Sequence, residues 1–504
     1  MAGLKSRSIT AALWGSGGSA VRIVLQLGTQ VLLARLLGPE EFGVFAVGAL
    51  VISFSNFFAD AGVAYGLIQK KEVSEDDLRF VFTWQLIVGS LTTIVIVAAS
   101  DAIAAFFGNA MAGSVVAALS VLCLLHALSA PSSNMLKRQL EFKPIQIGQI
   151  IGYIFGYIAI GLPMAMSGWG VWALVASWIG LSVVNLVVLY AHAPYPLKPL
   201  FRIGESTSFL TYGATVFVTN ILNWVILNID RTLVGRHFSM KDLGLYSTAY
   251  NVLYNPAGTL VGVIQPVFFS ASAHAADDLA RIRSAYSALL STALLLFLPF
   301  FAFLAAASHT IILALYGSAW IAAADLFRPF SLAMVLYIIT ALTTPIIWTS
   351  GHGLREFLSQ LPLAVLWVVA CFVAMRYSAQ VMAWTVFALY ALRCVVIWRE
   401  AIRATGIRVR DIWRAASGSL LLAACTSAAT VLTDTWLRRL SESPWAWLAG
   451  DLAIAALVAV AVLRYRPSVV SAGSFDLLQR LGARLPGRVT GVFRAVFVRH
   501  RGIA

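Results

Sequence analysis

The stretch WGSGGSAVRIVLQLGTQVLLARLLGPEEFGVF, Trp14 to Phe45, sets the terms for the rest of the chain. It is apolar and long enough to cross a bilayer, yet it carries Arg22 near its middle and Arg35 near its far end. At 3.6 residues per turn, Gly15, Gly18, Arg22, Gln26 and Thr29 fall on one face, while Ile23, Leu27, Val31 and Leu32 lie on the apolar remainder. A cation at the centre of a bilayer costs about 2.5–3.5 kcal/mol even on insertion scales, so it needs a partner or a hydrated cavity. Two readings follow. Arg22 is satisfied locally by a carboxylate or a freed backbone carbonyl, or it lines an aqueous chamber and receives an anion. The second is preferred, because the face it shares is polar or small over four turns.

Composition supports a membrane setting. Of 504 residues, 60% are hydrophobic and only 12% charged, against about 25% charged in soluble domains, and mean hydropathy is +0.84. The formal net charge of +14 would suit nucleic acid, but the basic residues sit in short connections and in the C-terminal tail, the pattern of cytoplasmic loops. Nucleic acid is therefore not expected as a partner. The four cysteines (Cys123, Cys371, Cys394, Cys425) lie in apolar stretches without metal-ligand spacing and read as small core residues. No metal or cofactor is expected. The first helix, with no small-residue cleavage site after a short apolar core, reads as retained rather than as a signal peptide.

Apolar segments near 20 residues recur along the chain, at 11–37, 42–66, 80–100, 111–131, 146–167, 169–191, 208–230, 244–270, 286–308, 326–349, 357–376, 380–399, 415–434 and 445–463. About fourteen helices, an even number, place both termini on one side. The loop charges make that side the cytoplasm of a multi-pass inner-membrane protein. A repeat appears at a shift of 201 residues: Arg35 maps to Arg236, Gly43 to Gly244, Phe45 to Tyr246, and Asp76-Asp77-Leu78 to Asp277-Asp278-Leu279. Six helices per half keep orientation, and such pseudo-symmetric halves put a substrate site at their interface. The expected fold is an all-α polytopic membrane protein with two six-helix lobes around a central cavity and two further C-terminal helices. The expected bounds are 1–206, 207–405, 406–463 for the added pair and 464–504 for a basic tail. That tail mixes Phe475, Leu477, Leu478 and Leu481 with Arg480, Arg484 and Arg488. It reads either as an amphipathic segment on the inner leaflet or as a solvated tail.

Three stretches carry a resemblance: LLARLLGPEEFGVFAV (Leu32–Val47), LVGRHFSMKDLGLYSTAYNV (Leu233–Val252), and KRQLEF…SGWGVWALV (Lys137–Val175). They resemble Wzx-type polysaccharide exporters of the multidrug/oligosaccharidyl-lipid/polysaccharide (MOP) flippase superfamily. The resemblance implies translocation of undecaprenyl-diphosphate-linked oligosaccharide repeat units for surface polysaccharide, exopolysaccharide, capsule or O-antigen. It also implies a cationic cavity, alternating access and coupling to an ion gradient. Lipid-linked oligosaccharide and membrane lipids are the implied partners, with polymerase and chain-length machinery as further ones.

Moving a lipid diphosphate across hydrocarbon requires cations in a hydrated chamber. Arg22 and Gln26 are the first candidates. Arg393, mid-helix, is either a second or a side chain snorkelling toward the basic inner loop. Arg35 and Arg231, near the outer helix ends, are diphosphate candidates or structural partners of acidic neighbours. Asn223, Tyr250, Asn251, Tyr254 and Asn255 offer aromatic faces and amides suited to sugar hydroxyls, although helix packing explains the tyrosines almost as well. Asp60 and Asp230 are salt-bridge partners or proton or sodium relays. A multidrug extruder of the same superfamily would share the fold but favours an acidic cavity. A membrane-embedded polymerase or ligase would need catalytic polar groups in a substantial outer loop, and none is evident, so the chain does not read as an enzyme.

Overall fold

In a computed structural model, the structure describes residues 2–59, 67, 72–201, 207–273, 278–471, 473–476 and 479. The described chain is helical, and among the described residues no strand occurs. It forms two compact units, Met1–Thr248 and Ala249–Ala504. Eleven helices among the described residues are long and apolar enough to cross a membrane.

In the first unit, α1 (Ala2–Ala59) is two helices in series, because Gly38 adopts φ 76° and Pro39 restarts the helix. A positive φ suits glycine, and proline at the first helical position gives up an N–H that has no intrahelical partner anyway. Next come α2 (Glu75–Phe107), α3 (Ala110–Leu119) and α4 (Val121–Arg138). The start of α2 is a capping box: the Asp77 N–H donates to the Ser74 hydroxyl (3.2 Å) and the Ser74 N–H to the Asp77 carboxylate (2.9 Å). Such caps stabilise a helix by about 1 kcal/mol. Gly108 ends α2 in the left-handed region, and Asn109 at once caps α3.

The chain continues through α5 (Phe142–Tyr153), a wider-wound π segment (Ile154–Gly161), α6 (Leu162–Met166) and α7 (Val171–His192). Gly156 and Gly161 of the π segment lie so close to α7 that a Cβ on either would overlap Ser177. Helix α8 (Thr207–His237) and the first residues of α9 (Met240–Ala273) complete this unit.

Two contacts explain the glycine-bearing motifs. A Cβ on Gly43 would overlap the Met240 carbonyl, and one on Gly244 would overlap the Pro39 carbonyl. Since 39 and 240 are separated by the same 201 residues as 43 and 244, the contact is reciprocal: each of the two stretches supplies one glycine and one carbonyl. Elsewhere the Val171 N–H donates to the Glu41 carboxylate (2.7 Å) at the start of α7, beside Gly170 at φ 55°. Two of the stretches that carry the resemblance thus hold each other.

The second unit holds α10 (Leu279–Ala306), α11 (Ser308–Leu315), α12 (Ala323–Thr349), α13 (Gly353–Ala374), α14 (Ala379–Thr405), α15 (Val409–Leu440) and α16 (Pro444–Tyr465). Helix α12 is its most enclosed span, with Phe327, Phe330, Met334, Ile338, Leu342 and Ile346 all buried. Helix α16 is the opposite, exposing Leu452, Leu457 and Val460, as α2 in the first unit exposes Leu91, Ile94 and Val95. Large apolar side chains on the outside of 22- to 33-residue helices fit a surface solvated by lipid.

Candidate functional site

Arg22 lies on α1 against α5. Its Nη1 donates to the side-chain carbonyl of Gln149 at 2.7 Å, and its Nε is buried with no hydrogen-bond partner among the described residues. One turn earlier, Gly18 packs onto Gln146: a Cβ there would come within 2.7 Å of the Gln146 Cβ and Cγ, so glycine lets the helices close. Gln146 is itself buried, and its Oε1 lacks a donor among the described residues. At the end of α5, Tyr153 stacks on Tyr157 of the π segment (centroids 5.1 Å apart, planes at 19°). The spacing 146, 149, 153, 157 is helical. The result is a guanidinium, two amides and two phenol rings inside apolar helices. A neutral amide, Gln149, holds Arg22 in place, and among the described residues no carboxylate forms an ion pair with it.

Of the residues expected beside it, Gln26 is half-buried one turn on, and Thr29 turns its hydroxyl back to the Leu25 carbonyl at 2.8 Å. Asp60 lies outside the described residues. Arg35 is exposed on α1. Arg231 donates to the Leu227 carbonyl and to Asn228 (2.8 Å) on its own helix. Its neighbour Asp230 is buried and accepts the Tyr246 hydroxyl at 2.9 Å. Asn223 is exposed.

A second cluster lies within the other unit. Arg393 of α14 donates through Nη2 to Gln360 (2.7 Å), the Gln360 amide donates to Glu356, and the Trp348 indole donates to the other Glu356 oxygen (3.2 Å). Arg393 Nε is buried without a hydrogen-bond partner among the described residues. An amide therefore relays between guanidinium and carboxylate. The tyrosine row lies in the same unit: Tyr250 stacks on Tyr254 (5.2 Å), Tyr254 contacts Tyr337 (5.3 Å), and the Tyr250 and Tyr390 hydroxyls are 3.4 Å apart. Tyr250 is buried, whereas Asn251, Tyr254 and Asn255 are half-buried.

The sequence reading missed Gln146, Gln149, Tyr153 and Tyr157 in the first unit and Gln360 and Glu356 in the second. The signal available was polar spacing at 3, 4 and 7 residues within apolar windows.

These features define a multi-pass, all-helical membrane protein that keeps cations inside its apolar helices. Its fold is that of the MOP transporters: it matches the Lipid II flippase MurJ in its inward closed conformation with a TM-score of 0.72, at 14% identity, over 90% of this chain and 99% of that one. The polysaccharide biosynthesis protein family model matches residues 32–325, and the chain belongs to that family. Among curated relatives, the succinoglycan biosynthesis transport protein ExoT of Rhizobium meliloti (strain 1021) is 24% identical over 59% of this chain and 60% of its own length. The lipopolysaccharide biosynthesis protein WzxC of Escherichia coli (strain K12) is 24% identical over 63% of this chain and 65% of its own length. The chain thus matches less than two thirds of either relative. The expected kinship with polysaccharide exporters is borne out.

Proposed function

We propose that this protein is a flippase that carries lipid-diphosphate-linked oligosaccharide repeat units across the bacterial inner membrane for surface polysaccharide synthesis. Both termini are then cytoplasmic, and fourteen spans form two six-helix lobes with a helix pair appended, at the bounds the sequence suggests. The family, the relatives' names and the MOP fold support the transport class. The single observation that carries the substrate chemistry is Arg22, a half-buried guanidinium with a buried Nε, positioned by Gln149 rather than neutralised by it. Such a group binds an anion well, because the amide orients it and the low-dielectric surroundings strengthen the attraction. A multidrug extruder for cationic compounds would be opposed by the same charge. Coupling to an ion gradient, and contact with polymerase and chain-length machinery, belong to the same proposal.

The test is complementation of a deletion strain, with surface polysaccharide and accumulated lipid-linked repeat units measured together. Arg22→Lys keeps the charge and loses bidentate geometry, so partial export is expected. Arg22→Ala and Arg22→Glu are expected to abolish export and accumulate the lipid-linked unit at normal protein levels. Full export by Arg22→Ala would overturn the assignment.

A further inference from the structure

Far along the chain, within the second unit, one buried carboxylate makes no hydrogen bond among the described residues. Asp451 lies eight residues into α16, about 10 Å from the helix start at 1.5 Å per residue. It is 0% exposed, and neither carboxylate oxygen has a hydrogen-bond partner among the described residues. Gly450 explains why α16 approaches α15 so closely here: a Cβ at that position would overlap Leu437. With Gly450 against Leu437 and the Arg438 guanidinium over the Trp447 ring, the crossing sets Asp451 beside the turn of α15 that carries Asp434 and Arg438.

Those two are already engaged with each other. Arg438 Nε donates to Asp434 Oδ2 at 2.9 Å, its Nη2 donates to the Thr310 hydroxyl at 3.0 Å, and Thr310 donates to Asp434 Oδ1. The guanidinium also lies 5.0 Å from the centroid of the Trp447 ring, which fixes its remaining face. The cluster therefore holds two carboxylates against one guanidinium, and Asp434 takes the guanidinium. Leaving a second carboxylate ionised and uncompensated in such a place is strongly unfavourable. One further positive charge is required.

We propose that Asp451, with Asp434 and Thr310 around it, forms a binding site for one monovalent cation, H⁺ or Na⁺, between α11, α15 and α16. A proton would sit on Asp451 itself. Sodium would take the Asp451 oxygens together with the remaining lone pairs of Asp434 and Thr310, the hard oxygen donors that alkali cations prefer. The titratable group on α11 is His309, 4.0 Å from Asp325. The short turn Pro467–Val469, which also packs on α16, carries no titratable side chain. The site is independent of the Arg22 assignment, and its test reads cation binding rather than export.

The full-length protein is purified into lipid nanodiscs. Its thermal unfolding midpoint is measured in NaCl and in choline chloride at equal ionic strength, across pH, for the wild type and Asp451→Asn, with His309→Gln as a control. A sodium site gives a midpoint that rises with log [Na⁺] in the wild type and not in Asp451→Asn. A proton site gives a midpoint that ignores Na⁺ and falls as pH rises in the wild type, with that fall lost in Asp451→Asn and kept in His309→Gln. Infrared pH titration of the wild type adds a readout that does not depend on a variant folding: a protonated carboxylic acid has its own carbonyl-stretch band. Sodium titration calorimetry on the wild type does the same for the other arm. If the wild type shows neither sodium binding nor a protonated-acid band, the proposal fails. It fails equally if folded Asp451→Asn keeps both responses.

Discussion

A charged side chain inside an apolar helix is legible in a sequence, but its partner is not. Arg22 stands out because nothing nearby in the sequence resembles it, and the cost of burying it forces attention. Gln149, 127 residues away, is an ordinary glutamine until the helices are packed. Asp451, the one acid of its span, was passed over in the sequence and is informative only through Asp434 and Arg438. The Arg22–Gln149 bond yields a prediction that separates an amide-held cation from a salt bridge. If Asp60 were the partner that neutralises Arg22, the double variant Arg22→Gln with Asp60→Asn would restore export, because removing both charges strands neither. With Gln149 as the positioning group, the double variant is expected to stay inactive. Gln149→Leu should lower export severalfold, because it removes the acceptor from a buried donor at a cost of about 1–3 kcal/mol. Gln149→Glu supplies a carboxylate that competes with any anionic substrate and should be worse still. Export assays on membranes with matched protein levels check both outcomes.

The helical, multi-span class was legible from hydropathy, because a spanning segment has to be apolar along its whole length; eleven helices among the described residues are long and apolar enough to span, where about fourteen were expected. The 201-residue spacing of Gly43 and Gly244 was legible too, and both glycines sit at one close crossing, against the Met240 and Pro39 carbonyls. What the sequence could not show is that these glycines serve a close crossing rather than a turn. At such a crossing a side chain has nowhere to go, since the atoms it meets are backbone carbonyls and not the flexible ends of side chains. Gly43→Ala and Gly244→Ala should each destabilise the protein by more than the 1–3 kcal/mol typical of an overpacked core. Gly28→Ala is the matched control: it lies on α1 with nothing within 4 Å of the added Cβ. That change should be neutral or stabilising by up to about 1 kcal/mol, as alanine replacing glycine within a helix is. Fluorescence-detected size-exclusion profiles after graded heating rank the three. A Gly43→Ala protein as heat-resistant as Gly28→Ala would mean that the two helices do not cross there.

Orientation in the bilayer is a property of the whole chain and is set by where the cations accumulate. Most of the 36 Lys and Arg fall in the connections assigned to the cytoplasm or in the tail, and a bias of that kind fixes topology during insertion. On the proposed topology, in which the chain enters from inside and crosses fourteen times, the connections containing Glu40, Ser167 and Glu442 would face outward, and those containing Glu75, Arg355 and Arg408 inward. All six residues are exposed, so a cysteine at any of them is reachable from its own side. Background labelling is expected to be low, because Cys123, Cys371 and Cys394 are buried and Cys425 is half-buried within α15. In intact cells, an impermeant thiol reagent should therefore label the first three variants and spare the second three, and opening the inner membrane should equalise them. Reversal of the two sets would invert the chain. A switch of side partway along, for example outward labelling at Glu40 and Ser167 with inward labelling at Glu442, would show that the number of crossings between them is odd where fourteen spans make it even. Because the positions sample early, middle and late connections, each outcome locates the error as well as exposing it.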